Sequence, residues 1–536
     1  MTKKNQKKKE VRQVKSKSQS FLSNLNSIVE NKHFGLFIAA AYLIIISIIS
    51  FTYHKIGDYG VETDFFWGYV HAAKKFLEGI IVIDQFRGPL YPIALGIFSL
   101  AFPDFFSAGI FLGVFSASIV IYFTFETLKR ISDSKISLIT TILLFFNPIF
   151  IQYSYSAGTD MFFNALAVIT LYFFFKSNEP NYKNLLLAAF FGGLSYLTRY
   201  NGIFLASFVL AILFINHWKI SWKERIKAVL IFCFVFIITF SPWGFYCLSE
   251  KGSFFYNENY KNIAYEIYGK EKVSWDEFWF SESSKMKSLT DVVFADPGKF
   301  VSTVIGNIAD HFLKDMEILI GWHIGIFTIL GLVFFIFSKP HKPLTTVFNS
   351  YVLVNLFFFL LLLLVFYSER FSLFLIPFYV FFAVSALHSG NLSLKKFMPK
   401  QLIILLTVFI ISFAIIEAYG FNVERIDSGP QEILILKEWY DKNVPEEQKG
   451  SKIAARKPHI AYYLDMEFSL LPLVNSHEEL ISELNKKNVD YLYFSPVEAG
   501  LRREFMYLLN PNLQHPGLET VVFFNNPPAV LYRLKK

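Results

Sequence analysis

The chain has 536 residues, of which 54% are hydrophobic, 19% aromatic and only 18% charged, with 64 Phe and a formal net charge of +8. Soluble globular proteins carry about a quarter charged residues, so this composition excludes a soluble multidomain protein and specifies a polytopic membrane protein. The positive excess lies in the N-terminal tail and in short loops, which excludes a nucleic-acid partner.

Taken in order, the first 33 residues are polar and basic, with Lys3, Lys4, Lys7, Lys8, Lys9, Arg12, Lys15 and Lys17. They are read as a disordered cytoplasmic tail that sets a positive-inside topology. The apolar run that follows is too long for a cleavable signal and has no small-residue exit, so it is a permanent anchor. Spans need about 20 apolar residues, somewhat fewer where helices are tightly associated. On that basis membrane helices are predicted near 34–53, 106–128, 136–152, 160–175, 184–198, 201–216, 227–247, 319–338, 347–367, 371–388 and 401–419, about eleven in all. The apolar stretch from Pro89 to Phe102 is too short to span and is predicted to lie at the interface.

Charge tests this topology. With the tail inside, the inner loops hold Lys129, Arg130 and Lys135, then Lys176 and Lys183, Lys219 to Arg225, Lys339 and Lys342, and Lys395, Lys396 and Lys400. The outer connections carry far fewer cations, so the alternation holds and the C-terminus falls outside. The expected organisation is a basic tail (1–33), a transmembrane region (34–420) with outer loops 54–105 and 248–317, and an extracytoplasmic domain (421–536). In that last domain, 431–440 has helical spacing, and Ser476 with Glu479 opens a helix as a capping box. Stretches 452–455, 460–464, 490–494, 520–524 and 529–534 read as strands, giving a small α/β domain. Cys233 and Cys247 share one apolar segment, about 21 Å apart along a helix, and cannot pair.

Ionisable residues are nearly absent from mid-span positions and gather at outer ends: Asp58, Glu62, Asp64, Asp84 and Arg87 on the first loop, Asp160, Arg199, then Glu369 and Arg370. A single arginine at such a position is ordinarily a boundary residue solvated by headgroups. As a set they converge on the face that carries both long loops. Arginine forks bind phosphate oxygens, a carboxylate within reach takes a proton from an attacking hydroxyl, and a groove between helices holds a lipid tail.

The order of these features resembles the GT-C superfamily of polyprenyl-phosphate-dependent glycosyltransferases, of the protein-O-mannosyltransferase and aminoarabinose-transferase type. The resemblance is carried by Thr63-Asp64-Phe65-Phe66-Trp67-Gly68-Tyr69 leading into an amphipathic helix, and by Arg87-Gly88-Pro89-Leu90-Tyr91-Pro92, similar to the family's P-L-Y-P opening of an apolar helix. Asn147-Pro148 and Gly158-Thr159-Asp160-Met161 follow, then Gly193-Leu194-Ser195-Tyr196-Leu197-Thr198-Arg199-Tyr200-Asn201-Gly202, and Ser368-Glu369-Arg370-Phe371. The resemblance implies an enzyme that takes a sugar from a polyprenyl-phosphate donor and passes it, with inversion, to a glycan, lipid or protein acceptor outside the cytoplasmic membrane. It implies Asp64 as general base, Asp160 or Glu62 as the second acidic position, and Arg199, Arg370 and Arg87 as contacts to the donor phosphate. Family members differ in metal dependence, so a divalent metal stays open; the sequence has no His/carboxylate cluster at ligand spacing. The alternatives are a transporter or flippase of lipid-linked sugars and a non-catalytic relative that only binds polyprenyl lipid. Transporters ordinarily carry mid-membrane ionisable sites and repeat symmetry, neither of which this chain shows. No Walker or dinucleotide motif points to a soluble nucleotide.

Overall fold

The computed structural model describes residues 29–176, 181–337, 346–389 and 393–535. The basic tail up to residue 28 and the loop carrying Lys339 and Lys342 lie outside the described residues. The protein is a multi-pass helical membrane protein with a small C-terminal sheet. Helices occupy all eleven expected positions, but they differ in length. Among the described residues, five are long and apolar enough to cross a membrane: Phe34–Tyr53, Phe105–Ile131, Trp222–Lys251, Glu369–His388 and the helix that starts at Lys400. Ser134–Phe145 and Pro148–Tyr155 qualify only as a pair, bent by 60°. The bend falls at Asn147-Pro148: the proline supplies no N–H, and Asn147 caps the second helix by accepting from Phe150 N at 2.8 Å. The others are shorter, such as Thr159–Phe175, Tyr200–Ile215, Trp322–Phe337 and Thr346–Leu362, so the expected count of about eleven spans is matched in helix position and not in span length. Leu90–Ser99 is the short apolar helix expected at the interface.

One buried apolar cluster runs through these helices, from Tyr42 and Ile46 to Phe204, Phe374 and Ala418. Phe34–Tyr53 and the Lys400 helix are each only 28% buried along their apolar windows, whereas Glu369–His388 is 89% buried. The first two are peripheral and face lipid; the last is a central strut. This is why charged side chains at the start of Glu369–His388 are held inside the protein.

The C-terminal region folds as a five-stranded sheet in the order β2-β1-β3-β5-β4, with β1 Lys452–Ala455, β2 Glu467–Leu470, β3 Tyr491–Phe494, β4 Leu518–Asn525 and β5 Pro528–Leu534. β1 pairs in parallel with β2 and β3, and β5 lies antiparallel to β3 and β4. Ser476 caps its helix as expected, accepting from Glu479 N. The stretch 460–464, expected as a strand, is instead helical over 460–463, within His459–Tyr463, with Leu464 just after its end. A short apolar run does not distinguish strand from buried helix by periodicity; here Pro458 opens a turn in which its carbonyl accepts from Tyr462 N, and Asp465, at φ 52°, ends it. The strand beside β1 is the later β2.

The C-terminal region that carries this sheet is docked on the loop that follows Phe34–Tyr53. Tyr59 donates to Glu432 Oε1 at 3.2 Å, His459 Nε2 to the Asp58 carbonyl at 3.2 Å, and Lys457 Nζ to Thr63 Oγ1 at 3.1 Å. Phe66 packs at a tilt against His459, and Trp67 packs edge-on against Phe468. Burial pushes His459 down to about 3, so it docks as a neutral ring.

Candidate active site

The first loop turns at Asp58, whose carboxylate accepts from Gly60 N and Val61 N at 2.6 and 2.8 Å. Asp64 then leads directly into a π-helical turn, Phe65–Tyr69, before the regular helix Val70–Leu77. A wide turn of this kind is uncommon and recurs at functional sites. Here it buries Phe65, Phe66 and Tyr69 and leaves the Asp64 side chain 37% exposed.

The other residues arrive from distant segments. Asp84 accepts from the backbone N–H of Phe86 and Arg87 and from Arg87 Nη1, at 2.7, 2.9 and 2.8 Å, and so fixes the loop that carries the guanidinium. Gly88 follows because nothing larger fits: a Cβ there would overlap the Leu197 carbonyl, and the Thr198 carbonyl is also close. That contact seats the loop carrying Arg87 on the residues just before Arg199, which stands at the break between Tyr182–Thr198 and the turn Tyr200–Leu205. Asp160 stands in the first turn of Thr159–Phe175, where the helix dipole favours an anion. Arg370 lies in the turn Glu369–Ser372.

These side chains form one ladder of ion pairs. Arg87 Nη2 donates to Asp64 Oδ1 at 2.7 Å, and Arg370 Nη1 donates to Asp64 Oδ2 at 3.0 Å. Arg370 then reaches Asp160, with Nη2 on Oδ2 at 3.2 Å and Nε on Oδ1 at 3.4 Å, and Arg199 pairs with Asp160 Oδ1 from the other side. Arg87 also lies over the Tyr69 ring, and Arg199 over Phe371, at 5.3 and 5.4 Å. Three arginines face three aspartates, so the ladder is neutral as it stands. Burial alone would raise the Asp64 carboxyl, but Arg370 and Arg87 outweigh it and hold the group well below the usual carboxylate range.

The ladder edges a cavity of about 1050 Å³. Asp64, Arg87, Arg199 and Arg370 line it, while Ile203, Phe358, Leu361 and Leu362 supply apolar wall, and Arg425, Arg456 and Lys457 line it from the C-terminal region. Of the six residues expected from the sequence, four therefore border the cavity. Asp160 stands behind Arg199 and Arg370, only 5% exposed. Glu62 is elsewhere: its carboxylate is fully buried and taken up by His54 Nε2 at 3.0 Å, Asp58 N at 2.7 Å and Ala157 N, so it holds the loop and does not border the cavity. Arg456 and Lys457 were missed, since their docking beside Thr63 has no local signal in the sequence. For a divalent metal the residues do not fit. Among the described residues no group of three or more His, Cys, Asp or Glu side chains is placed to hold an ion, and both candidate carboxylates are engaged by arginines.

Residues 87–246 match the family model described as dolichyl-phosphate-mannose-protein mannosyltransferase. The whole chain is similar to the crystal structure of ArnT from Cupriavidus metallidurans bound to undecaprenyl phosphate, with a TM-score of 0.57 at 12% identity, covering 94% of this chain and 98% of that one. Its apo state gives 0.55 at 12% identity, over 93% and 97%. No curated protein matches the sequence. The fold is shared with ArnT, and the match to the mannosyltransferase family model spans the segment that holds Arg87, Asp160 and Arg199.

Proposed function

We propose that the protein transfers a sugar from a polyprenyl-phosphate carrier to an acceptor on the outer face of the cytoplasmic membrane, with the N-terminus inside and the C-terminal sheet outside. The single observation that carries this reading is the ladder itself: three arginine forks beside an apolar wall, with one exposed carboxylate between two of them. The undecaprenyl phosphate in ArnT supports a lipid-phosphate donor. In the proposed arrangement the lipid tail lies along Phe358, Leu361 and Leu362, and the phosphate meets Arg370, Arg199 and Arg87.

Because the ladder is neutral, a phosphate gains little unless a carboxylate yields. Asp84 is fixed by two backbone N–H groups and Asp160 is buried between two arginines. Asp64 is the most exposed of the three and is held only by side-chain tips. The donor phosphate therefore takes the arginines from Asp64. Freed of both cations, Asp64 regains proton affinity and accepts the proton of an acceptor hydroxyl as that oxygen attacks the anomeric carbon. The bond to the phosphate oxygen breaks, the configuration inverts, and the lipid phosphate leaves with its charge held by the arginines. Asp160 orients those arginines.

The test is to incubate purified full-length protein with a panel of polyprenyl-phosphate sugars and envelope acceptors and to measure release of polyprenyl phosphate. Release that depends on Asp64 and on one donor supports the reading. Binding of the lipid-linked sugar with movement across vesicles and no cleavage would replace it with the flippase alternative.

A further inference from the structure

One wall of the cavity is neither basic nor lipid-like. Asn257, Asn259 and Asn262 line it in succession, beside Phe86, Trp275 and Trp279. The three amides form a ladder: Asn259 Nδ2 donates to Asn257 Oδ1, and Asn262 Nδ2 to Asn259 Oδ1, both at 3.4 Å. Contacts this long are weak, and each amide has two N–H donors and two lone pairs, so the ladder sets orientation and leaves capacity for a ligand. The rings form a cluster, with Phe86 and Trp279 centroids 5.3 Å apart and Trp275 and Trp279 5.9 Å apart. Lys261 is seated over Trp279 at 4.5 Å and paired with Glu258, so these two charges cancel.

The wall is fastened to the ladder of ion pairs. Glu258 N donates to the Gln85 carbonyl at 2.7 Å, and Gln85 stands two residues, at most about 7 Å, before the arginine that holds Asp64. Apolar rings next to unsaturated amides, without net charge, match the two surfaces of a pyranose: its C–H face and its hydroxyls. An anionic ligand would find its counter-ions on the arginine side instead. The donor sugar is already anchored through its phosphate and lipid, whereas the acceptor has no such anchor.

We propose that Asn257, Asn259, Asn262 and the Phe86–Trp275–Trp279 rings form a subsite for an uncharged sugar unit of a glycan acceptor. This rests on reading the cavity as a transferase site, but its binding is measurable without a donor. Full-length protein in lipid nanodiscs is titrated with mannotriose, maltotriose and triacetylchitotriose, with trigalacturonate as the anionic comparison and farnesyl phosphate as the donor-side ligand. At least one neutral trisaccharide binds; Trp279→Ala and Asn259→Ala each weaken it about tenfold, Trp279→Phe retains it, and farnesyl phosphate binds all variants alike. The subsite is overturned if the wild type binds farnesyl phosphate but no neutral trisaccharide, if the alanine variants bind sugar as the wild type does, or if trigalacturonate is preferred. Neutral-sugar binding that depends on Trp279, in a protein that ignores farnesyl phosphate, upholds the subsite and sinks the donor reading instead.

Discussion

At the scale of single residues, Asp64 combines two properties that conflict until a donor arrives. It is the exposed carboxylate of the site, yet Arg370 and Arg87 hold its carboxyl well below the usual range, which makes it a poor base at rest. The sign of the pH dependence follows. In the free protein the depressed carboxyl keeps its ion pairs in mild acid and loses them only as pH falls through that low value. In the proposed exchange, proton affinity rises once the phosphate has taken the arginines. The acid limb of kcat, which reports the bound complex, is therefore expected at higher pH than the acid limb of kcat/KM, which reports the free enzyme. Coincident limbs would mean that Asp64 keeps its arginines throughout. Arg370 is the least replaceable cation because its fork spans Asp64 and Asp160 at once. A lysine is a point charge that cannot do so, and Arg370→Lys is expected to weaken farnesyl phosphate binding about tenfold, read by calorimetry. Asp160→Asn leaves two arginines facing each other with their shared anion gone, and is expected to cost about 3 kcal/mol of stability, visible as a lower denaturant midpoint.

At the scale of elements, the site exists at three irregular points in the helices: the π turn after Asp64, the break at Thr198-Arg199 and the first turn, Glu369–Ser372, of Glu369–His388. Interrupted helices expose backbone and side chains at a depth where an intact span would present only apolar surface. Gly88 is the point at which the loop carrying Arg87 is pressed onto the second of these, at Thr198-Arg199. Gly88→Ala drives a methyl group into the Leu197 carbonyl, so Arg87 and Arg199 must separate; sugar transfer is expected to fall at least about 100-fold, with thermal stability also reduced. Unchanged transfer in this variant would show that the two arginines act independently. Much of this level was legible in the sequence, since long apolar runs fix where helices lie and charged residues at their ends mark one face. The π turn was not, because Phe65 to Tyr69, even with Gly68 inside it, has the same pattern as a regular amphipathic turn. Nor was the burial of Glu62: two residues before Asp64, it reads as an equal neighbour, and only its bonds to His54, Asp58 and Ala157 show that it faces inward.

At the scale of the whole molecule, the cavity is closed by parts far apart in the chain. The sheet region reaches across more than 390 positions to place Lys457 on Thr63, the residue before Asp64. Sequence patterning separated the membrane part from the C-terminal strands but gave no account of how they meet, because docking is written in single contacts such as His459 on Asp58 and Trp67 on Phe468. The same holds for the charge balance. Each arginine was legible in the sequence as a candidate phosphate contact, yet that three of them are matched by three aspartates emerges only in space, and on the proposed reading it turns a simple phosphate cradle into an exchange of partners. The measurement that tests this most directly is equilibrium binding of farnesyl phosphate to the wild type and to Asp64→Asn, paired with sugar transfer from the functional donor. With the competing carboxylate neutralised, the arginines are free before the ligand arrives, so the variant is predicted to bind the phosphate more tightly than the wild type while transfer falls about 100-fold or more. Weaker phosphate binding in Asp64→Asn, or transfer at the wild-type rate, would contradict the account.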